Sequence, residues 1–326
     1  MKIVSGISIV PSFNLAMEEY FLKEKDENFF MLWQNDKSII VGRNQNTLAE
    51  INYEYIKENE IAVIRRMTGG GAVFHDLGNI NYTFISRNSL NAFNDYAFFS
   101  EPIIECLKSL GVEAELSGRN DMLIDGKKFS GNAQCAYKNS VMHHGTLMFS
   151  SELSDLSQAL HVNPLKIQSK GISSVRSRVT NISEHLDRNF TAKYFMRYLL
   201  DNVRSHIDGA QMYDWTEYDK KRIAELEKEK YATWEWNYGY KKEYSFKKEK
   251  LFSFGIVEVN LTVENNIIEE AGIFGDFFGI RDISELEKSL IGIRHKESDI
   301  SEVINSIDIQ KYIAGMTSEE MLGMFI

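Results

Sequence analysis

Three consecutive glycines, Gly69 to Gly71, constrain this chain more than any other feature of its sequence. The residues before them, Ile61 to Ile64, form an apolar run that predicts a buried strand. Glycines at the end of a strand allow the backbone to bend sharply or to approach a ligand closely. The N–H groups of such a loop, with Arg65 and Arg66 beside it, predict a site for a carboxylate or a phosphate. A hairpin turn with two solvated arginines is the alternative interpretation.

The composition limits the classes of protein to which the chain can belong. Its 326 residues are enough for one large domain or two, and 43% hydrophobic residues are typical of a packed globular protein. No apolar run reaches the roughly 18 residues of a membrane span, and the N-terminus lacks a signal-peptide pattern. The net charge of -10 argues against nucleic acid as a partner, because basic residues supply most of that affinity. We therefore expect a cytoplasmic protein with no nucleic-acid or membrane partner.

Hydrophobic periodicity and turn residues predict a large α+β domain in the first three quarters of the chain. Ser12 is predicted to cap the first helix, because it precedes an apolar helical face. The predicted helices span residues 12–24, 52–59, 95–110, 191–208 and 217–229. The predicted strands span residues 29–33, 38–42, 61–64, 81–85, 122–124, 128–136 and 142–149. Together they indicate a domain built on an antiparallel-rich sheet.

A smaller α+β domain is predicted at the C-terminal end. The composition changes near Tyr240, where two lysine-rich runs flank a polar segment that is predicted to be a linker. Beyond it, two segments that alternate apolar and polar residues surround Asn265-Asn266, which predicts a hairpin. The hairpin strands are predicted at residues 255–263 and 267–274, and helices at 283–291, 299–306 and 317–325. We therefore predict domains of residues 1–243 and 244–326.

Lys128 is the first candidate for a catalytic cation. It begins a strand after a tight turn, and strict alternation would place its side chain on the same side as that of Ser130. Gly131 weakens the interior of this strand, which indicates close approach of a ligand or another backbone. A lysine beside an anion loop suits a reaction that builds negative charge on phosphate and carboxylate oxygens. A solvated surface lysine is the alternative.

Other polar segments are candidates for the same site. Asp121 has the carboxylate oxygens that Mg2+ prefers, and it is equally suited to a turn. His143 and His144 point to opposite faces of a strand, so one of them is expected to line a pocket and the other to be a core or surface residue. Residues 170–181 are basic and rich in small polar side chains, which is typical either of a loop that orders over an anion or of a plain surface loop.

The aromatic segment and the two cysteines are given structural interpretations. Residues Thr233 to Gly239 are predicted to pack one domain against the other. Cys106 lies on the apolar side of a predicted helix and is expected in the core. Cys135 has no nearby pattern that would supply a base, so a catalytic thiolate is not expected. Two cysteines without a disulfide framework fit a reducing compartment.

Seven segments of the chain, taken in order, carry a resemblance to a known family. They are Val41 to Asn46, Arg65 to Asp76 with Gly78-Asn79, Gly118 to Asp121, Lys128 to Ala133, His143 to Thr146, Lys170 to Asn181 and Trp234 to Gly239. In this order they resemble the lipoate–protein ligases, and the resemblance spans most of the first 240 residues. It implies a biotin/lipoate ligase-like catalytic domain with a large mixed sheet. The C-terminal segment is similar, more weakly, to the small α+β accessory domain of the full-length ligases.

The resemblance implies a two-step reaction that uses ATP and Mg2+. Lipoate attacks the α-phosphate of ATP to give lipoyl-AMP and pyrophosphate, and the amine of an acceptor lysine then displaces AMP. The implied acceptors are the lipoyl domains of 2-oxo acid dehydrogenase E2 subunits and the glycine cleavage H protein. A monomer is expected, because the sequence has no extended apolar seam.

The same resemblance assigns roles to residues. It implies that Lys128 is the catalytic lysine, that Asp121 contacts Mg2+ or phosphate, and that residues 170–181 close on the adenylate. The residues implied to bind ATP and the acyl group, or to shape the same wall, are Arg66, Gly69, Gly70, Gly71, Ala72, Val73, Phe74 and His75. The dithiolane tail needs an apolar slot, which is expected near Phe74 and the segment Arg43 to Asn46.

Two other functions are weighed against this one. An ATP-independent octanoyl or lipoyl transferase of the same fold would require a reactive cysteine. A relative that only binds carrier domains would be expected to have lost the lysine or the glycines, and this sequence retains both.

Overall fold

The computed structural model describes most of the chain. The described residues are 1–118, 120–152, 158–160, 178–187, 189–207, 209–239 and 244–326. Within this part of the chain, no helix combines the length and the hydropathy that crossing a membrane requires.

The large domain contains two sheets and helices on both sides of the larger one. Its helices are α1 (Pro11–Glu24), α2 (Thr47–Glu50), α3 (Tyr53–Glu58), α4 (Tyr96–Ser109), α5 (Ala192–His206), α6 (Glu217–Leu226) and α7 (Trp234–Tyr238). Its strands are β1 (Lys2–Ser5), β2 (Phe29–Trp33), β3 (Ser38–Val41), β4 (Ala62–Arg65), β5 (Val73–His75), β6 (Asn79–Ser86), β7 (Ala114–Ser117), β8 (Asp121–Ile124), β9 (Lys127–Tyr137), β10 (Ser140–Met148) and β11 (Gln211–Met212). The larger sheet has the order β11-β1-β2-β6-β10-β9-β8-β7, and the smaller one has the order β4-β3-β5.

The larger sheet is buried on both faces, which explains why β2 is apolar throughout. Phe30 and Leu32 point into a core that α4 and α5 cover. Phe29, Met31 and Trp33 point into a second core that α1 and α6 cover. Alternating residues of one strand therefore serve two hydrophobic cores, as expected for a sheet between two helical layers.

The predicted helices are present, but the predicted cap of α1 is wrong. The N-cap position is Val10, and Pro11 occupies the first turn, where its missing N–H costs nothing. The hydroxyl group of Ser12 instead donates to Glu227 across the domain. By contrast, α4 begins after Asp95, whose carboxylate accepts from the N–H of Phe98.

The C-terminal domain is a three-stranded antiparallel sheet covered by helices. It comprises β12 (Phe246–Phe252), β13 (Gly255–Glu264), β14 (Ile267–Gly275), α8 (Ile283–Leu290), α9 (Glu297–Asn305) and α10 (Ser318–Leu322). The second of the two lysine-rich runs that flank the predicted linker lies within β12, which is an edge strand paired with β13. Charged residues suit an exposed edge, whereas its partner β13 is largely buried. The boundary between residues 243 and 244 stays a prediction, since residues 240–243 lie outside the described ranges.

Arg65 ties together three separate segments of the large domain. Its side chain is only 1% exposed. The guanidinium group donates hydrogen bonds of 2.6–3.2 Å to the carbonyl groups of Gly42, Arg43, Gln45, Trp236 and Asn237 and to the hydroxyl group of Thr47. Arg65 is therefore committed to protein acceptors, so the prediction that both arginines serve the anion site is wrong for this one.

The aromatic segment that ends the large domain packs within that domain. The indole N–H of Trp236 donates to the carbonyl of Arg65 over 2.8 Å, and the side-chain oxygen of Asn237 accepts from the N–H of Arg65. Helix α7 contacts β4 and α2. The prediction that this segment packs one domain against the other is therefore wrong.

We expect Arg65→Lys to destabilise the large domain by about 3 kcal/mol, because a lysine cannot reproduce the planar fork and leaves buried carbonyls without donors. The measurement is the free energy of unfolding by chemical denaturation. Arg43→Lys is the matched control, since Arg43 forms a partly exposed ion pair with Asp282 that a lysine can retain. We expect less than about 1 kcal/mol from that control. Equal stability of the two variants would contradict the role of Arg65.

Candidate active site

A cavity of about 780 Å³ lies between the larger sheet, the glycine loop and the C-terminal domain. The large domain lines it with Leu15, Trp33, Ile40, Arg66, Gly70, Gly71, Ala72, Val73, His75, Asn81, Asn120, Asp121, Lys128, Gly131, Asn132, Ala133, His144, Gly145 and Thr146. The C-terminal domain contributes Leu251, Phe252, Ser253, Phe254, Gly255, Asp276 and Phe278. This second contribution could not be predicted from the sequence, because it depends on how the two domains pack against each other.

The floor of the cavity is one row of residues across the larger sheet. Asn81 lies opposite Trp33 on β2 and opposite Thr146 on β10. The N–H of Gly131 donates to the hydroxyl of Thr146 over 3.2 Å, and Gly131 lies opposite Asp121 on β8. Opposite residues share a face, and strands lie about 4.8 Å apart, so the row spans roughly 19 Å. It runs from an aromatic end at Trp33 to a charged end at Asp121.

Lys128 supplies the cation at the charged end. Its ammonium nitrogen lies 2.7 Å from a carboxylate oxygen of Asp121, and both side chains are 39% exposed. The register between β8 and β9 shifts after Met122, so alternation along β9 is interrupted. A Cβ atom on Gly131 would lie 2.9 Å from the ammonium nitrogen. Lys128 therefore shares a face with Gly131, and the prediction that it shares one with the fully buried Ser130 is wrong.

Two asparagines that the sequence analysis missed hold the turn before Asp121. The N–H of Asn132 donates to the carbonyl of Asn120 over 2.8 Å, and the Asn120 amide donates back to the carbonyl of Asn132 over 2.8 Å. Both residues line the cavity. Asn-rich turns carry no specific signal in a single sequence, so this pairing was visible only in three dimensions.

The adjacent histidines occupy opposite faces of β10, as predicted. The ring of His143 is fully buried and stacks on Phe99 of α4 at a centroid distance of 4.9 Å. Burial lowers the pKa of His143 well below its ordinary value. His144 is the one that lines the cavity.

His144 belongs to a buried polar chain that reaches the glycine loop. Its Nδ1 atom donates to the carboxylate of Glu18 over 2.9 Å, and that carboxylate also accepts from the hydroxyl of Thr83. The Nε2 atom forms a hydrogen bond of 2.7 Å with the hydroxyl of Thr68. Glu18 and Thr68 are almost fully buried, so this chain fixes the residue immediately before the three glycines.

Arg66 is the next member of this series of hydrogen bonds, and it also holds the glycine loop in place through the carbonyl groups of that loop. Its Nε atom donates to the hydroxyl of Thr68 over 3.0 Å, and its terminal nitrogens donate to the carbonyls of Ile40, Gly69 and Gly71 at 2.7–3.0 Å. Burial lowers the pKa of the Arg66 guanidinium to about 10, while the nearby Glu18 opposes that shift. Arg66 lines the cavity as predicted, and it also folds the loop.

The three glycines face different surroundings. A Cβ atom on Gly69 would lie 2.3 Å from the carbonyl oxygen of Phe277, and one on Gly70 would lie 2.9 Å from the ring of Phe278. The backbone of Gly70 also has a φ of +92°, a conformation that favours glycine. Gly71 has no atom within 4 Å of such a Cβ position and lines the cavity. The first two glycines therefore allow the C-terminal domain to approach closely, and the third borders the open space of the cavity.

The residues after the glycines divide between the cavity and a neighbouring core. Ala72, Val73 and His75 line the cavity. Phe74 is not among the residues that line it and packs instead against the apolar cluster around Ile39. Alternation along β5 turns Phe74 to the face opposite Val73 and His75, and its expected place near the acyl slot stays a prediction.

The segment from Arg43 to Asn46 lies at the contact between the domains. Arg43 forms an ion pair with Asp282, and the carbonyl of Asn44 accepts from the N–H of Gly275 over 2.8 Å. None of the four residues is among those that line the cavity, and the expectation that this segment lies near the dithiolane tail stays a prediction.

The basic loop predicted at residues 170–181 is described only from residue 178, and residues 170–177 lie outside the described ranges. So does Arg119. At the described end, the N–H of Thr180 donates to the carbonyl of Lys128 over 3.0 Å, and Val179 forms a bridge with the same residue. This segment therefore returns to the charged end of the cavity.

Comparison with known proteins assigns both domains. Residues 10–204 match the family described as the lipoyl protein ligase A/B catalytic domain, and residues 241–325 match the bacterial lipoate protein ligase C-terminus. The lipoate-protein ligase LplJ of Bacillus subtilis (strain 168) is 44% identical over 318 residues, which cover 96% of each chain. The chain belongs to the lipoate–protein ligase family. The predicted family and enzyme class are confirmed.

Solved structures of lipoate–protein ligases share the fold. The crystal structure of P. falciparum LipL1 in complex with lipoate has a TM-score of 0.79 at 26% identity and covers 99% of this chain and 97% of its own. The crystal structure of lipoate-protein ligase A bound with ATP has a TM-score of 0.63 at 26% identity and covers 73% of this chain and 99% of its own. The predicted α+β architecture, with a large mixed sheet and a C-terminal domain, is confirmed.

The different surroundings of the glycines lead to a matched pair of substitutions in this ligase. We expect Gly70→Ala to lower the free energy of unfolding by at least about 1 kcal/mol, because the left-handed backbone and the Phe278 ring both oppose a Cβ atom. We expect Gly71→Ala, which meets open space, to change it by less than about 0.5 kcal/mol. Chemical denaturation without ligand measures both. A larger loss for Gly71→Ala would contradict this assignment.

Proposed function

We propose that this chain, as an ATP-dependent lipoate–protein ligase, joins lipoate to a lysine of carrier domains in two steps at this cavity. The lipoate carboxylate attacks the α-phosphate of ATP, which forms lipoyl-AMP and releases pyrophosphate. The amine of the acceptor lysine then attacks the acyl carbon, which forms an amide and releases AMP. The observation that carries this proposal is that Lys128 lines the same cavity as the glycine loop, with its ammonium group paired to Asp121.

In this proposal Lys128 is the catalytic residue. Negative charge grows on the phosphate oxygens in the first step and on the acyl oxygen in the second, and a fixed cation stabilises both. The ion pair with Asp121 keeps the ammonium group over the floor before a ligand binds. The missing side chain of Gly131 leaves the space that this position requires.

The two ends of the floor suit the two ends of lipoate. Leu15, Ile40 and Val73 line the cavity and belong to the same apolar cluster as Trp33, which lies at the end of the floor away from Asp121. An acyl tail buried there gains the free energy of leaving water, while its carboxylate stays at the charged end. This arrangement supports a tail slot at Trp33.

The loop after Arg66 is proposed to bind the nucleotide and the acyl phosphate. Gly71, Ala72 and Val73 line the wall, and the open space at the Cβ position of Gly71 leaves room for a ligand close to the backbone. Arg66 holds the loop through its carbonyls and adds positive charge behind it. Gly69 and Gly70 contribute indirectly, because they seat the C-terminal domain that closes the cavity.

Asp121 fits a role as a contact for Mg2+ that accompanies ATP. The described residues contain no group of three or more histidine, cysteine, aspartate or glutamate side chains that could hold a metal ion by themselves. Mg2+ commonly uses one or two carboxylates together with water and substrate phosphates, so a single carboxylate beside the cavity is sufficient. When bound, Mg2+ would neutralise the phosphates that Lys128 also approaches.

We further propose that the acceptors are lipoyl domains of 2-oxo acid dehydrogenase E2 subunits or the glycine cleavage H protein. A ligase from Thermoplasma acidophilum is described together with its E2 lipoyl domain, which supports this class of partner. A cytoplasmic monomer is proposed on the basis of two free cysteines and the lack of an extended apolar seam in the sequence.

The alternative of acyl transfer through a cysteine thioester has little structural support. Burial raises the pKa of the Cys106 thiol to about 12 and that of Cys135 to about 12. Neither cysteine is among the residues that line the cavity. A nucleophilic thiol needs a depressed pKa and access to the substrate.

We expect Lys128→Ala to reduce lipoate-dependent ATP–pyrophosphate exchange at least about 100-fold, because the loss of one stabilising donor costs about 3 kcal/mol of barrier. The exchange is measured with purified protein, Mg2+ and no acceptor. Lys127→Ala is the matched control, since Lys127 is an exposed neighbour on β9 that does not line the cavity. That control should retain wild-type exchange. Full exchange by Lys128→Ala would refute the proposed mechanism.

We expect the double variant Cys106→Ser and Cys135→Ser to keep ATP-dependent transfer of lipoate to an apo lipoyl domain within about threefold of wild type. Neither thiol has the low pKa that a nucleophile needs. The assay is mass spectrometry of the acceptor with and without ATP. Loss of transfer in a variant that still melts cooperatively would favour the thioester route instead.

A further inference from the structure

The wall of the cavity that the C-terminal domain provides is aromatic. The rings of Phe252 and Phe254 are nearly parallel, with an interplanar angle of 7° and a centroid distance of 5.2 Å. Both residues line the cavity, and both are only partly buried. Phe278, on the same wall, is buried where its ring lies against Gly70. Phe252 and Phe254 therefore present ring surface to a space that is large enough for a ligand.

Local sequence preference does not explain why a phenylalanine occupies position 254. Phe252 on β12 pairs with Gly255 on β13, so Ser253 and Phe254 form a two-residue hairpin turn. Such turns favour asparagine, aspartate and glycine. Part of Phe254 packs against the core of its own domain, and Gly315 leaves room for it, since a Cβ atom there would lie 3.0 Å from the ring. The rest of the ring borders the cavity, which indicates contact with a ligand.

A short series of contacts places this aromatic surface beside the glycine loop. The ring of Phe278 would lie 2.9 Å from a Cβ atom on Gly70. The carbonyl of Phe278 accepts from the N–H of Ala314 over 2.7 Å, and the next residue, Gly315, adjoins the ring of Phe254. The surface therefore adjoins the loop that is proposed to bind the nucleotide.

The charges of the two domains indicate which part of the nucleotide this wall suits. The lysine and the arginine that line the cavity, Lys128 and Arg66, both belong to the large domain. The described residues that the C-terminal domain contributes include neither type, and they include one carboxylate, that of Asp276. A carboxylate repels phosphate groups, so the wall suits an uncharged group. The acyl tail has the apolar end of the floor at Trp33, which leaves the adenine base for this wall.

We propose that Phe252 and Phe254 form a surface that binds the adenine base of ATP by stacking and apolar contact. Every base has a planar π face, and aromatic side chains provide the matching surface. The C-terminal domain is then part of the nucleotide site, and Phe254 is a binding residue for the first step of the reaction. This inference rests on the proposed function of the cavity.

The test is Phe254→Leu, which keeps an apolar side chain and removes the aromatic ring. We expect the KM for ATP in lipoate-dependent ATP–pyrophosphate exchange to rise about fivefold, which corresponds to about 1 kcal/mol of lost stacking. The KM for lipoate should stay unchanged, because the acyl chain lies along the floor. Phe254→Tyr keeps the ring and should retain the KM for ATP.

Phe246→Leu is the matched control. Phe246 lies on the same strand, β12, and packs against the same core, but it is not among the residues that line the cavity. Its substitution should leave both KM values unchanged. Phe252→Leu is a second variant of the proposed surface, and it serves if Phe254→Leu does not fold. Thermal unfolding establishes that each variant is folded.

The outcomes separate the adenine surface from the reaction itself. A higher KM for ATP alone in Phe254→Leu, and not in Phe246→Leu, supports the surface. An unchanged KM for ATP in both Phe254→Leu and Phe252→Leu would overturn the surface and leave the reaction intact. A higher KM for lipoate alone, or equal rises for both substrates, would also overturn it, since the wall would then contact the acyl chain or have only a structural role. Absence of exchange by the wild-type chain would overturn the proposed function and the surface together.

Discussion

The buried guanidinium group of Arg65 is the interaction on which the rest of the structure depends. Its hydrogen bonds join the end of β4 to the loop that follows β3 and to helix α7, which lies about half the chain away in sequence. Charge-assisted hydrogen bonds in a buried site are among the strongest available to a protein, so this group holds the three segments firmly together. With β4 fixed, Arg66 and the glycine loop can start from a defined position at the edge of the cavity.

The charged and the apolar groups of the cavity lie at opposite ends of its floor. A continuous row of paired residues provides a rigid floor, since neighbouring strands hold each member in place. Positive and negative charge are concentrated at the Lys128 end, and apolar surface is concentrated at the Trp33 end. A molecule with a carboxylate at one end and an apolar tail at the other therefore has one favourable orientation. Positioning of this kind lowers the entropic part of a reaction barrier before any group reacts.

The sequence was sufficient for features that depend on local pattern. The glycine triplet, the strand before it, the lysine of β9 and the opposite faces of His143 and His144 all follow from spacing and turn chemistry. Other features depend on distant contacts. The bulge in β9 places Lys128 on the face of Gly131 and not on that of Ser130, a lysine-rich run beside the predicted linker belongs to an edge strand, and the acceptors of Arg65 come from elsewhere in the chain. No local pattern in a single sequence reveals such pairings.

Phe277 and Phe278 of the C-terminal domain pack closely against Gly69 and Gly70, so docking of this domain affects ligand binding in the cavity. The same domain provides one wall of the cavity through Leu251 to Gly255. A ligand that contacts both walls contributes to holding the domains together, and by thermodynamic reciprocity the seated domain raises ligand affinity by the same factor. Contacts at the two glycines therefore couple docking of the C-terminal domain to substrate affinity. A substitution elsewhere on the small domain that weakens its docking would also lower the affinity of the cavity for its ligand.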